Sequence, residues 1–194
     1  MPEIRVENLG IRRGGRWILR GFEWRHPAGR IAWLTGENGA GKSSILRILA
    51  GRARPTMGRV VLEAGNAPDP RALYYHPGMR LPPEVRASDW DRLVDAVTAG
   101  ATPHEELRPS FADPDTRIGD LSTGEAKRLQ LEAILRGEAP FVFLDEPYSH
   151  LSESGQRALT AILRRRASGA VVVVATNQAI PADVDGVRIS IERP

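Results

Sequence analysis

Cysteine is absent from the 194 residues of this sequence. Disulfide bonds, thiolate metal sites and cysteine nucleophiles are therefore excluded. Long apolar runs are missing as well, because the longest, near 141–144 and 170–175, have strand length and are too short to cross a bilayer. The N-terminus is charged from Glu3 onward, which is not typical of a secretory signal. We expect a soluble intracellular protein.

A strong excess of one charge is also lacking. Lysine and arginine number 27 against 24 aspartate and glutamate residues, which leaves a net charge of +3. This balance does not demand nucleic-acid binding, which needs a clustered basic face. We therefore expect no nucleic-acid partner. The length suits one domain that buries its own core, and we assign residues 1–194 to it.

The most informative stretch is 31–51, IAWLTGENGAGKSSILRILAG. It predicts a short apolar strand, a glycine-rich turn, and an amphipathic helix that ends at Gly51. The turn fits the phosphate-binding pattern G-x-x-x-x-G-K-[ST], in the strand–turn–helix context that supports such a match. We expect a nucleotide to be bound here by Gly36, Glu37, Asn38, Gly39, Ala40, Gly41, Lys42, Ser43 and Ser44.

Each residue type in this loop suits a phosphate ligand. Glycines let backbone N–H groups surround a phosphate, and the N-terminus of the following helix adds a positive dipole. Lys42 would place its ammonium between the β- and γ-phosphates, and Ser43 would offer its hydroxyl to Mg²⁺. A loop that is glycine-rich only for turning is the alternative. The sequence predicts a nucleoside triphosphate site.

The rest of the chain predicts an α/β fold. Near-alternating apolar residues before the loop indicate an antiparallel β patch. Further strands are predicted at 59–63, 72–76, 141–144, 170–175 and 186–191. Helices are predicted at 88–107, with Ser88 as N-cap, and at 124–135 and 152–167. Strands that alternate with helices indicate a mostly parallel sheet.

Several motifs follow the phosphate loop in a fixed order: LSTGE before a helix, FVFLDEP at the end of a buried strand, SHLS, and a strand that ends in ATN. In this order the chain resembles, over essentially its whole length, the nucleotide-binding subunits of ATP-binding cassette (ABC) ATPases. The resemblance implies a P-loop NTPase fold, with a RecA-like core at about 1–78 and 137–194 and a small helical insert at about 79–136. It also implies ATP and Mg²⁺ as ligands and ATP hydrolysis as the activity.

The resemblance assigns roles residue by residue. Asp145 matches the carboxylate that holds Mg²⁺ through water, and Glu146 matches the general base that polarises the attacking water. Ser122, Thr123 and Gly124 match the signature motif, which faces the γ-phosphate of ATP bound to the other subunit. A dimer is therefore expected, either a homodimer or a heterodimer with another ABC subunit. A separate integral membrane permease is the implied partner, and it would hold the chain at the inner face of the cell membrane.

Some positions depart from the family pattern. The signature reads LSTGE where LSGGQ is usual, so Thr123 and Glu125 differ. Asn177 stands where the family has its switch histidine, and it is expected to act in catalysis by hydrogen-bonding the γ-phosphate. Ser152 replaces an aspartate. We expect hydrolysis, at a reduced rate, because Lys42 and Glu146 are kept.

Two further roles rest on the resemblance alone. His76 lies where the family has a glutamine that reports Mg²⁺ to the transport partner, so it is a candidate metal ligand, with packing at a strand end as the alternative. The aromatic residue that stacks on adenine is expected near Arg13. Trp17 is close enough in sequence to serve, and the guanidinium plane of Arg13 is the alternative.

Four short sequence segments resemble one subfamily, the ATPase of the haem exporter of cytochrome c maturation. They are RGGRWIL, WLTGENGAGKSSILRILAG, YYHPG and ATNQAIP. Two other hypotheses stay open beside a transporter subunit. One is a soluble single-cassette ABC ATPase that serves in assembly, and the other is a degenerate cassette that binds ATP as a regulatory switch.

Overall fold

The strands of this protein form two sheets in a computed structural model that describes residues 1–65, 71–98, 101–109, 113, 115–180 and 184–192. The strands are β1 (Glu3–Arg13), β2 (Arg16–Pro27), β3 (Ile31–Thr35), β4 (Met57–Glu63), β5 (Ala72–Tyr75), β6 (Phe141–Asp145), β7 (Val171–Ala175) and β8 (Gly186–Ser190). The helices are α1 (Lys42–Leu49), α2 (Ala87–Val97), α3 (Thr123–Arg136) and α4 (Glu153–Ala167), with a 3₁₀ turn at Ile118–Asp120.

One sheet is antiparallel and the other is parallel. The antiparallel sheet has the order β2-β1-β4, and the parallel sheet has the order β5-β6-β7-β3-β8. Every residue of β6 and β7 is buried, as expected for parallel strands that are covered on both faces. The predicted α/β fold with a parallel sheet and an N-terminal antiparallel patch is confirmed.

The parallel sheet separates two hydrophobic clusters. Phe141 and Phe143 face the cluster that includes α1 and the antiparallel sheet, whereas Val142 and Leu144 face the cluster that includes α3 and α4. This division follows from the period of a strand, in which successive side chains point to opposite faces. The sheet is therefore held between α1 with the antiparallel sheet on one face and two long helices on the other.

The middle helix differs from its prediction. It begins at Ala87 with Arg86 at the N-cap position, and it ends at Val97 rather than near 107. Arg86 forms an isolated bridge to Arg117, and its carbonyl accepts the Trp90 N–H at 3.0 Å. This long-range pairing begins the helix before Ser88, which is therefore not the N-cap. The division of the chain into a core and a helical insert stays a prediction.

The parallel sheet brings the sequence motifs to one edge. The carboxyl ends of β3, β5, β6 and β7 all lie at this edge because the paired strands run in the same direction. The glycine-rich turn follows β3, the two carboxylates close β6, and the ATN string closes β7. Among the described residues, no helix has the length and apolar character needed to span a membrane.

Candidate functional site

The glycine-rich turn after β3 forms a loop closed by the first residue of α1. Gly36 has φ +145°, and a Cβ at this position would lie 2.3 Å from the carbonyl oxygen of Ile191, so only glycine fits. Lys42 has only 6% of its surface exposed, and its ammonium donates hydrogen bonds to the carbonyls of Gly36 (2.7 Å) and Glu37 (3.0 Å). Burial lowers the pKa of Lys42, against the opposing effect of Glu146 and Asp145. The ammonium is thus held at the centre of the loop.

Ser43 and Asp145 meet although they lie 102 residues apart in the sequence. The Ser43 hydroxyl donates to Oδ1 of Asp145 at 3.1 Å. Asp145 is buried at the end of β6, and this burial raises its pKa, while its bond to Ser43 and the charges of Arg47, His76 and Lys42 act in the opposite direction. The structure therefore brings together the hydroxyl and the carboxylate that the sequence predicted as metal ligands.

Glu146 directly follows Asp145 and begins a turn with unusual backbone geometry. Its φ is +47°, a left-handed conformation that residues other than glycine rarely adopt. Its N–H donates to the carbonyl of Ala175 at 2.9 Å, and its carboxylate accepts the Thr176 hydroxyl at 3.4 Å. Burial raises the pKa of Glu146, which makes the ionised carboxylate a stronger base.

Asn177 follows β7 and its side chain contacts two residues of the loop. Its side-chain oxygen accepts a hydrogen bond from Lys42, and its amide donates to Oδ1 of Asn38 at 2.5 Å. A cavity of about 270 Å³ opens between these groups. It is lined by Arg13, Ile18, Asn38, Gly39, Gly41, Lys42, Ser43, Ser44, Glu146 and Asn177.

Of the two residues proposed to stack on a base, the structure brings only Arg13 to this cavity. Ile18 faces the loop, since a Cβ on Gly41 would lie 3.0 Å from its Cγ2. Trp17 does not line the cavity, and its ring packs against Gly10 beside the guanidinium of Arg20. The structure thus places Trp17 outside the described lining of the cavity, and its stacking role stays a prediction, as does that of Arg13.

His76 directly follows β5, beside the carboxyl-terminal end of the neighbouring strand β6. Its Nδ1 accepts the Gly78 N–H at 3.1 Å, and its ring centre lies 5.5 Å from that of Tyr74. His76 is thus packed in the turn after the strand, and its metal role stays a prediction. Among the described residues, no group of three or more His, Asp or Glu side chains is arranged to hold a metal ion.

The signature motif forms the N-terminus of α3. Ser122 caps this helix: its hydroxyl accepts the Glu125 N–H at 3.3 Å and donates to Oε2 of Glu125 at 2.6 Å. Oε2 of Glu125 also accepts the Ser122 N–H at 2.9 Å, and these bonds lower the pKa of Glu125. Ser122 and Thr123 are exposed, so the motif presents a free surface in this chain.

Sequence reasoning missed several groups around Glu146. Lys127 on α3 donates to the Glu146 carbonyl and to the Ser149 hydroxyl, both at 2.7 Å. A second cavity of about 470 Å³ lies on that side and is lined by Tyr75, Pro77, Met79, Arg80, Leu121, Thr123, Ala126, Lys127, Gln130, Ser149 and His150. One signal was available in the sequence: Lys42 and Lys127 are its only lysines.

Residues 19–149 match the family described as ABC transporter. The chain is 38% identical over 177 residues to the cytochrome c biogenesis ATP-binding export protein CcmA of Novosphingobium aromaticivorans, which covers 88% of this chain and 86% of the relative. It is 27% identical over 197 residues to the protein of the same name from Mannheimia succiniciproducens, and this alignment covers 93% of this chain and 90% of the relative.

Solved structures share the fold. An ATP-binding protein of an ABC transporter from Pyrococcus furiosus superimposes with a TM-score of 0.79 at 19% identity, over 97% of both chains. A dimeric ATP-binding cassette bound to ADP and Pi superimposes with a TM-score of 0.72 at 18% identity, over 90% of this chain and 88% of the other.

Proposed function

Because this chain belongs to the ABC transporter family, in which it is an ATP-binding cassette ATPase, we propose that it powers a separate membrane permease. Hydrolysis would occur in a dimer that closes around two ATP molecules. The observation that carries the proposal is the single cavity where Lys42, Ser43, Glu146 and Asn177 converge, with Asp145 bonded to Ser43 behind it.

In the proposed mechanism the loop binds the phosphates of ATP, and the Glu146 carboxylate activates the attacking water. The backbone N–H groups of the loop and the N-terminus of α1 would hold the phosphates, and Lys42 would exchange its bonds to Gly36 and Glu37 for phosphate oxygens. Glu146, whose pKa is raised by burial, would accept a proton from the attacking water. Asn177 would donate its amide to the γ-phosphate.

Mg²⁺ fits the oxygen ligands that are present. A serine hydroxyl and one buried carboxylate at 3.1 Å are the hard donors that this ion prefers, and it usually completes its shell with waters and substrate phosphates. Ser43 and Asp145 would hold the ion. When bound, Mg²⁺ would neutralise charge on the β- and γ-phosphate oxygens.

The dimer is proposed because the signature motif does not contribute to this chain's own nucleotide cavity. Ser122, Thr123 and Gly124 do not line the cavity of about 270 Å³, so they would contact ATP bound to another copy or to another ABC subunit. The N-terminus of α3 is exposed at Ser122 and Thr123, and the Ser122 hydroxyl would exchange its bond to Glu125 for the phosphate of ATP bound to the other subunit. A solved relative of the same fold is itself a dimer with ADP and Pi.

A permease is the proposed partner, and the second cavity is its proposed docking site. Pro77, Met79 and Leu121 give this cavity apolar walls, beside the basic Arg80. Its position between the end of β5 and α3 places a docked segment next to the turn that begins at Glu146. The cytochrome c biogenesis export proteins among the relatives support a role in the same process, at the inner face of the membrane.

The test is steady-state ATP hydrolysis by the purified chain and by Glu146→Gln, with size exclusion in ATP and Mg²⁺. We expect hydrolysis by the wild type, a loss of about a hundredfold or more in the variant, and an ATP-trapped dimer of the variant. Dimerisation of the variant without loss of hydrolysis would refute Glu146 as the base. Absence of both hydrolysis and dimer would refute a homodimeric enzyme.

A further inference from the structure

Lys127 is the second of only two lysines among the 27 lysine and arginine residues of the chain. Both lysines are buried, with 6% of the surface exposed in each. Lys42 belongs to the phosphate loop, whereas Lys127 comes from α3 and does not line the nucleotide cavity. A compact ammonium with three donors can enter a narrow buried site where the planar guanidinium of arginine has a different geometry. A lysine rather than an arginine at position 127 therefore indicates a narrow site with specific hydrogen-bond acceptors.

The acceptors of Lys127 lie in the turn after β6. Its ammonium donates to the Glu146 carbonyl and to the Ser149 hydroxyl, both at 2.7 Å. The Ser149 hydroxyl in turn donates to the same Glu146 carbonyl at 3.0 Å. The ammonium also lies 5.4 Å from the ring centre of Tyr75, the last residue of β5. One side chain thus joins α3 to the turn and to the neighbouring strand.

This turn needs such support because its backbone is strained. Glu146 has φ +47° and His150 has φ +60°, and both are left-handed conformations of residues with a Cβ. Strained conformations persist only where the surrounding contacts fix them. The Glu146 N–H is fixed by Ala175, and the Glu146 carbonyl is fixed by Lys127 together with Ser149. The backbone on both sides of the Glu146 side chain is therefore held by hydrogen bonds.

Lys127 also stands between the two cavities. It lines the cavity of about 470 Å³ with Tyr75 and Ser149, and it contacts the backbone of Glu146, which lines the nucleotide cavity of about 270 Å³. The N-terminal turn of α3 packs on the same segment, since a Cβ on Gly124 would lie 3.0 Å from the His150 carbonyl. A shift of α3 would therefore move Lys127 and, through its hydrogen bond to the Glu146 carbonyl, change the position of the Glu146 carboxylate.

We propose that Lys127 is a positioning residue, which holds the turn 146–149 so that the Glu146 carboxylate points at the phosphates. This inference rests on the proposed function, because it assigns Glu146 as the base. It goes beyond that function in naming α3, through Lys127, as the element that sets the base. A buried lysine that serves packing alone would support folding without affecting the chemical step.

The experiment compares ATP hydrolysis by the wild type, Lys127→Met and Lys127→Gln. Methionine keeps the bulk of the aliphatic part of the side chain and removes both hydrogen bonds, whereas glutamine, with the same number of atoms along its side chain as methionine, keeps an N–H donor for the turn. We expect kcat to fall about tenfold or more in Lys127→Met, because small displacements of a catalytic group have effects of this size, while KM and the affinity for a fluorescent ATP analogue change less than about twofold. Lys127→Gln should recover most of kcat.

Arg128→Met is the matched control. Arg128 also lies on α3, and its guanidinium donates to two backbone carbonyls, those of Leu107 (2.9 Å) and Arg108 (2.8 Å), away from the turn. This variant should lose thermal stability and keep kcat. An equal fall of kcat in Arg128→Met at an equal loss of Tm would show that Lys127 is merely structural and would overturn the proposal.

Ser149→Ala supplies a second test if Lys127→Met does not fold. It removes one acceptor of the ammonium and leaves α3 intact, so kcat should fall about threefold to tenfold at an unchanged affinity for the ATP analogue. Wild-type kcat in Ser149→Ala, or in a folded Lys127→Met, would refute the proposal. Loss of hydrolysis in Glu146→Gln is scored separately, so the assignment of the base stands or fails independently of Lys127.

Discussion

The ammonium of Lys42 donates a hydrogen bond to the side-chain oxygen of Asn177, which follows it by 135 residues. The same asparagine donates its amide to Asn38 in the phosphate loop. Asn177 therefore joins the end of β7 to both sides of the loop. In the family pattern a histidine stands here, and asparagine retains a donor and an acceptor but cannot carry a proton.

Asn177→Ala should lower kcat for ATP hydrolysis at least about tenfold, because it removes both the anchor of Lys42 and a donor for the γ-phosphate. The steady-state kcat and KM of the purified variant test this expectation. Gln178→Ala, at the exposed neighbouring position, is the control and should retain wild-type kcat. An unchanged kcat in Asn177→Ala would exclude a catalytic role for this residue.

Glu125→Gln should favour the ATP-bound dimer. Glu125 places a carboxylate within the signature motif, at 2.6 Å from the Ser122 hydroxyl that is proposed to meet the partner's phosphate. Removing this charge removes repulsion between like charges across the interface. In a Glu146→Gln background, we expect dimerisation at about tenfold lower ATP concentration, which corresponds to about 1.4 kcal/mol.

The measurement is sedimentation velocity across a range of ATP concentrations. Asp89→Asn is the control, because Asp89 also lies exposed in the first turn of a helix, α2, outside the signature motif. Dimerisation at the same ATP concentration with and without the Glu125 carboxylate would refute its effect on the interface.

The parts of the site that lie within one motif were predictable from the sequence. The strand, the loop and the helix of 31–51 appear where the pattern placed them, and Gly51 has the left-handed φ of +67° expected after a helix. The meeting of Ser43 with Asp145 was implied by the family resemblance, and the parallel strands account for it by bringing their carboxyl ends to one edge. Local chemistry determines the first of these features, and the order of the family motifs gave the second.

Features that depend on distant pairing were not predictable. The cavity is lined by Ile18 and not by Trp17, and the pairing of β1 with β2 has register shifts between Val6 and Arg12 that no short pattern reveals. Lys127 is a lysine on an amphipathic helix, which in a sequence usually indicates an exposed position. Its acceptors lie 19 and 22 residues further along, in a turn whose path the tertiary fold determines.

Arg136→Met should lower the free energy of unfolding by about 3–5 kcal/mol, because it leaves the buried Glu132 carboxylate without its charged partner. Arg136 is 3% exposed and donates to Glu132, which is fully buried, at 2.9 Å from Nε. Urea denaturation measures the effect, and kcat should stay unchanged where the variant is folded. The double variant Arg136→Met with Glu132→Leu should recover most of the loss. A loss below about 1 kcal/mol would show that the pair is solvated.

The stability of the chain should rise between pH 7 and pH 10 through Lys127. Burial lowers its pKa to about 8, against the opposing effect of the Glu146 and Asp145 charges, whereas the ordinary value is 10.5. Between these two values the unfolded chain binds more protons than the folded chain, so the free energy of unfolding increases with pH, by about 2 kcal/mol. Burial raises the pKa of Tyr75 to about 12, which acts in the opposite direction above pH 10 and sets the upper limit of the measurement.

Urea denaturation of the wild type and of Lys127→Gln at pH values from 7 to 10 isolates this contribution. Lys42 also has a pKa lowered by burial, but it is present in both proteins and cancels in the difference. Because the chain has only two lysines, NMR of protein labelled with ¹³C at the lysine ε carbons should give two titrating signals. The signal with a midpoint near pH 8 should disappear in Lys127→Gln. If instead that signal titrated near pH 10.5, and the two proteins gained stability equally with pH, the ammonium of Lys127 would be in contact with solvent rather than held by the turn at Glu146.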